Sequence, residues 1–238
     1  MIRRVGGLDS GKFRDASALV AVEVDRIARE AYVKGAKQWK GRNYLDMERE
    51  VAEIHQRKPF NLLAVEINSV GAHVIEVLKV KRIPVAEVVT TKDIKDPKKR
   101  QDPRLLDKNE MVRQILHWQQ ENALLFPASP TPEIAELLRQ LSIFSEFRTE
   151  GTGSYSYRAP GNEHDDLVMA LMMALFVERH YIGTVSRTGA EVAVSKRVME
   201  NIDPSKWLGS GQTRDIMRLG TGVPKTGILK GRSSWFPS

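Results

Sequence analysis

Apolar positions in residues 2–39 come in short blocks separated by charged turns, a pattern of strands rather than helices. "IRRVGGLD" reads as a strand ending at Asp9, and "ASALVAVEV" as a buried strand after the turn-rich "SGKFRD". "EAYVKGAKQW" is a third strand, so this region predicts an antiparallel meander. The period then changes. Tyr44, Met47, Val51 and Ile54 line one face of a helix over 44–56. "NLLAVEIN" is a short apolar strand carrying Glu66 at its end, and Val70, Val74, Val77 and Leu78 form the stripe of a second helix.

The alternation continues with the strand "VAEVVT", a helix bearing Met111, Val112, Ile115 and Leu116, and the strand candidate "ALLFP". Thr131 as N-cap and Pro132 at the first helical position open a helix with Ile134, Leu137, Leu138 and Leu141. "SEFRTEGTGSYSYRAP" has the form of a hairpin around Gly151 and Gly153. From Leu167 to Val177 every residue is apolar, which predicts a helix buried on all sides. Three early strands followed by strand–helix alternation predict an α/β fold with a mixed central sheet.

Asp165 and Asp166 stand directly in front of that apolar run. One reading is structural: acidic side chains suit a first helical turn, and Asn162 with Asp165 three residues later resembles a capping box. The other is that a cation sits there, because a carboxylate at the edge of a core is costly unless compensated. Asp9 and Glu66 widen the question, since each also ends an apolar element. In open α/β sheets, functional residues gather at strand ends and nearby helix N-termini. If the first and fourth strands are neighbours, Asp9 and Glu66 lie side by side. Several adjacent carboxylates cannot all ionise without cations, and hard divalent ions take such oxygen ligands.

Composition narrows the chemistry. The 238 residues include no cysteine, which excludes disulfides and cysteine-ligated zinc or iron–sulfur centres. No apolar run approaches a bilayer span and the start "MIRRVGGLDS" lacks a signal-peptide core, so a soluble intracellular protein without membrane contact is expected. The net charge of +7 favours polyanionic partners. The excess lies in "TKDIKDPKKRQDPRLLDK", which alone reads as a solvated loop, and after Gly183, where bases from Arg187 to Arg232 outnumber Glu191, Glu200, Asp203 and Asp215. The Gly-, Ser- and Thr-rich residues 181–238 read as a basic extension, partly ordered by itself.

"GGLDSGKFRDASALVAV", "LLAVEINSVGAHVIEVL" and "APGNEHDDLVMALMMAL" resemble, in order, the three acidic motifs of the nuclease domain of phage large terminases. The resemblance covers roughly residues 1–180 and implies a ribonuclease H-like fold, related to junction resolvases and retroviral-type integrases. It implies that Asp9, Glu66 and Asp166 are catalytic, and that these with Asp165 bind two Mg²⁺ or Mn²⁺ ions. Asp15 reads either as a supporting acidic residue or as a turn aspartate, and His164 as an exposed residue at a helix start.

The implied activity is two-metal hydrolysis of double-stranded DNA, cutting viral concatemers during genome packaging in the cytoplasm of the infected cell. Implied partners are a terminase ATPase motor, a small terminase subunit and a portal. Lys92, Lys95, Lys98, Lys99, Arg100 and the tail are candidates for holding the DNA backbone, and the hairpin near Gly151 for gating the groove. Large terminases carry the motor ahead of the nuclease, but this sequence has no G-x-x-x-x-G-K-[ST] loop. An excised domain or a separate motor polypeptide is therefore expected, the start at Met1 favouring the latter. Two other readings stay open: a junction resolvase or transposase-like nuclease on the same fold, and a non-catalytic module binding nucleic acid or a capsid component.

Overall fold

Strand β1 (Ile2–Asp9) is apolar and buried on both faces from Val5 to Leu8, which suits a strand in the middle of a sheet. The computed structural model places it there. The structure describes residues 2–11, 16–41, 43–67, 71–91, 94, 102, 104–148 and 155–180, with two short strands beyond. Asp15, Val70, most of the central basic segment, the hairpin tip at 149–154 and nearly all of the tail lie outside the described residues.

β1 pairs antiparallel with β2 (Ser17–Asp25), and β2 pairs antiparallel with β3 (Glu30–Trp39), which is the expected meander. Helix α1 (Tyr44–Arg57) leads to β4 (Leu62–Glu66), which runs parallel to β1 on its other side. After α2 (Gly71–Val80) comes β5 (Val85–Thr91), parallel to β4. β6 (Leu105–Asp107) adds a parallel edge strand, and α3 (Lys108–Gln120) follows directly. β7 (Leu124–Leu125) pairs with β3 at the opposite edge, and α4 (Pro132–Ile143) precedes the antiparallel hairpin of β8 (Ser145–Arg148) and β9 (Tyr155–Arg158). The last core element is α5 (Asp166–His180). The seven-stranded mixed sheet has the order β6-β5-β4-β1-β2-β3-β7.

Each sheet face carries its own core. α1 and α2 cover one face, packing Met47, Val51, Val74 and Leu78 onto Leu8, Leu19, Leu63 and Val65. α5 lies on the other face and is itself covered by α3 and α4, so its residues Leu167–Val177 are buried all round. Among the described residues, no helix is long and apolar enough to cross a membrane. Beyond α5, only β10 (Gly183–Thr184) and β11 (Ala193–Val194) are described, paired with each other.

Three local expectations need correction. β6 falls within a stretch read as a basic loop; its three residues become a strand by pairing with β5, with Leu106 fully buried. In α2 the buried stripe is Val74, Ile75 and Leu78, while Val77 is only half-buried. The segment "ALLFP" contributes just two residues to the sheet, because β7 is an edge strand touching only the start of β3.

Candidate metal centre

Strand alternation decides where Asp9 and Glu66 point. Val5 belongs to the core under α5 and Leu8 to the core on the opposite face, so Asp9, two positions beyond Gly7, falls on the α5 face. In β4, Leu62 and Ala64 face α5 while Leu63 and Val65 face away, which puts Glu66 on the α5 face too. Leu8 pairs with Val65, so Asp9 and Glu66 are the next positions of adjacent parallel strands. Ser10, fully buried, donates through its Oγ to the Glu66 carbonyl at 3.4 Å and ties the two strand ends together.

The first residue of α5 completes the group. Burial pushes the Asp9 carboxyl well above the usual carboxylate range. The negative charge of Glu66, then that of Asp166, a hydrogen bond shared with Glu66, and the charge of Asp165 push it further in the same direction. The other three sequence-predicted acids are thus all within electrostatic reach of Asp9. Lys108 Nζ lies 3.7 Å from Asp165 Oδ2, and His164 Nδ1 lies 3.8 Å from Asp166 Oδ2. His164 is exposed as expected, yet it stands beside a site residue.

The expected capping arrangement does not form. Asn162 is an exposed turn residue, and the helix starts only at Asp166, with Asp165 as the residue whose carbonyl accepts from Met169 N at 2.9 Å. The Leu167 N–H is instead received by Gln140 Oε1 of α4 at 3.0 Å. Gln140 is fully buried and its Nε2 donates to Glu136 Oε1 at 3.1 Å. Arg139 adds a second tie, bridging Glu136 and, at 2.9 Å, Glu163 in the loop before α5. Nothing in the sequence around Leu167 signals this role, because the glutamine is 27 residues away from it. Gln140→Ala leaves a buried N–H without its acceptor, so a loss of about 1–3 kcal/mol in urea unfolding is expected. A loss below ~0.5 kcal/mol would show that water replaces the glutamine.

The donor set fits a hard divalent cation: four carboxylates, no sulfur, and positions fixed by strand ends and a buried helix. Among the described residues, no group of three or more His, Asp or Glu side chains holds the arrangement of a metal site as it stands.

No protein-family model and no curated protein matches the chain. Solved structures do match. The large terminase nuclease from thermophilic phage G20c superposes with a TM-score of 0.55 at 18% identity, over 73% of this chain and 81% of that one. That nuclease has also been solved with bound magnesium. The P22 large terminase nuclease domain gives a TM-score of 0.52 at 12% identity, over 75% and 82% of the two chains. The HK97 bacteriophage large terminase gives 0.52 at 12% identity, over 73% of this chain but 39% of the longer one. With its mixed sheet order and its helix α5 across β1, the chain has the ribonuclease H-like fold of phage large terminase nuclease domains.

Proposed function

We propose that the protein is a divalent-metal-dependent endonuclease that cuts duplex DNA with little sequence preference, acting on concatemeric viral DNA during genome packaging. The observation that carries this reading is the convergence of Asp9, Glu66, Asp165 and Asp166 at one end of the sheet. Asp9, Glu66 and Asp166 would be the catalytic acids, and these with Asp165 would hold the metal. Two Mg²⁺ or Mn²⁺ ions bound there supply an activated water and stabilisation of the departing oxygen. The protein's own part is positioning: β1 and β4 hold two carboxylates in register, and Gln140 anchors the helix end that bears the third. A terminase ATPase motor, a small terminase subunit and a portal would be the partners, in the cytoplasm of the infected cell. Residues 181–238 would be a basic extension that adds sequence-independent backbone contacts.

Plasmid nicking in Mg²⁺ or Mn²⁺, stopped by EDTA, is the first test; undiminished cutting in EDTA overturns the metal reading. The adjacent aspartates give a sharper one. Neighbouring residues on a helix point about 100° apart, so both do not face one ion equally well. Asp165 already faces Lys108, whereas Asp166 opens the helix that lies on β1. Asp166→Asn should abolish nicking, and Asp165→Asn should retain measurable activity. The reverse ranking would exchange their roles.

A further inference from the structure

We propose that Lys108 is a positioning residue of the acidic site, an internal counter-ion that holds Asp165 in the metal-free protein and competes with a divalent cation for that carboxylate. The proposal rests on the metal-binding reading above. Lys108 is the first residue of α3, where the helix dipole favours acidic side chains and disfavours a cation. Local preference therefore does not explain a lysine here.

Its surroundings fix it nonetheless. Asp107 caps α3, accepting from Asn109 N at 2.8 Å and from Ile94 N at 3.3 Å. The same aspartate ends β6 opposite Thr91 of β5, so the start of α3 is tied to the sheet. The Lys108 ammonium lies over the Phe144 ring, 5.6 Å from its centroid, and reaches to 3.7 Å from Asp165 Oδ2. The two side chains are 21% and 24% exposed, so water screens the pair only in part.

The consequence is competition. A positive charge beside Asp165 offsets the repulsion this carboxylate meets from its acidic neighbours when no metal is bound. The same charge opposes an incoming cation until Asp165 turns from the lysine. A compact ammonium on a flexible stem allows that exchange. In the metal-free protein, Asp165 is thereby kept on the α3 side of the cluster.

The test is Mn²⁺ titration of the full chain, with free Mn²⁺ read by electron paramagnetic resonance. It compares wild type, Lys108→Met, Lys108→Arg, Asp165→Asn and the Lys108→Met/Asp165→Asn double variant. Methionine keeps an apolar stem near Phe144 and drops the charge. Lys108→Met should bind Mn²⁺ about tenfold more tightly. Lys108→Arg should stay near wild type, and in the Asp165→Asn background the gain should shrink by at least about threefold. Melting without Mn²⁺ checks folding, with Lys108→Gln taking the place of a methionine variant that fails to fold. Unchanged or weaker binding in the charge-removed variant overturns the role of Lys108 and leaves the metal reading standing. A gain of equal size without Asp165 also overturns it, because the lysine then acts as a general charge. Wild type that binds no Mn²⁺ overturns both.

Discussion

Asp9→Asn is expected to reduce duplex cleavage at least ~100-fold, or about 2.7 kcal/mol in the barrier, while stabilising the metal-free protein. The two effects share one cause. Burial and the charges of Glu66, Asp166 and Asp165 hold the Asp9 proton more tightly in the folded protein than in the unfolded chain. An acid raised in this way contributes stability that is fully present below the usual carboxylate range. That contribution is lost as pH rises through the raised value. Asparagine has nearly the shape of the protonated acid and does not ionise. The metal-free variant should therefore melt above wild type at neutral pH, and the two curves should converge as pH falls. Adding Mn²⁺ should reverse the order, since wild type gains binding energy at the site and the variant loses a ligand. Calorimetry over a pH series with and without Mn²⁺, beside a nicking assay, measures all of this. Near-normal cutting by the variant would remove Asp9 from the site, and a melting gap independent of pH would remove the buried-proton account.

What the sequence reveals follows the range of each interaction. The β1–β3 meander, α1 and β4 are legible because each carries several consecutive turns or alternations of apolar residues. The Asp9–Glu66 pair is legible on the condition that β1 and β4 are neighbours, and the observed parallel register meets it. β6 is not legible: three residues in a charged segment show no period, and β5 makes them a strand. The start of α5 misleads for a related reason. Asn162 and Asp165 have the spacing of a local cap, but the N–H of Leu167 finds its acceptor on α4. Lys108 is hidden in the same way, a cation at a helix start whose partner lies on another element. The acids of the site announce themselves by standing beside apolar runs, whereas the residues that hold them do not.

Gly7→Ala should cost about 3 kcal/mol or more and should also disable the site, whereas Gly6→Ala should cost about 1 kcal/mol. The neighbouring glycines lie on opposite faces of β1. A Cβ at Gly7 would stand 1.9 Å from the Ala170 carbonyl oxygen and 2.9 Å from the Ala174 nitrogen, both backbone atoms of α5. A helix backbone has no rotamer with which to yield, so α5 as a whole must move off the strand. A Cβ at Gly6 would instead meet Leu63 Cδ1 at 2.7 Å and Phe60 Cε1 at 3.0 Å, side-chain atoms able to turn aside. The close approach at Gly7 also has a chemical consequence. Gly7 is two residues before Asp9 on the same face, and Ala170 is four residues after Asp166, one helical turn. The contact that admits α5 to β1 thus sets the separation of the two carboxylates. Gly7→Ala should then weaken Mn²⁺ binding even in the fraction of protein that remains folded. Urea unfolding of both variants, followed by Mn²⁺ titration at temperatures where each is folded, separates the two effects. Equal losses at Gly6 and Gly7 would mean that α5 yields as readily as side chains do. Unaltered Mn²⁺ affinity in folded Gly7→Ala would mean that the helix reseats without moving Asp166, and that the glycine serves packing alone.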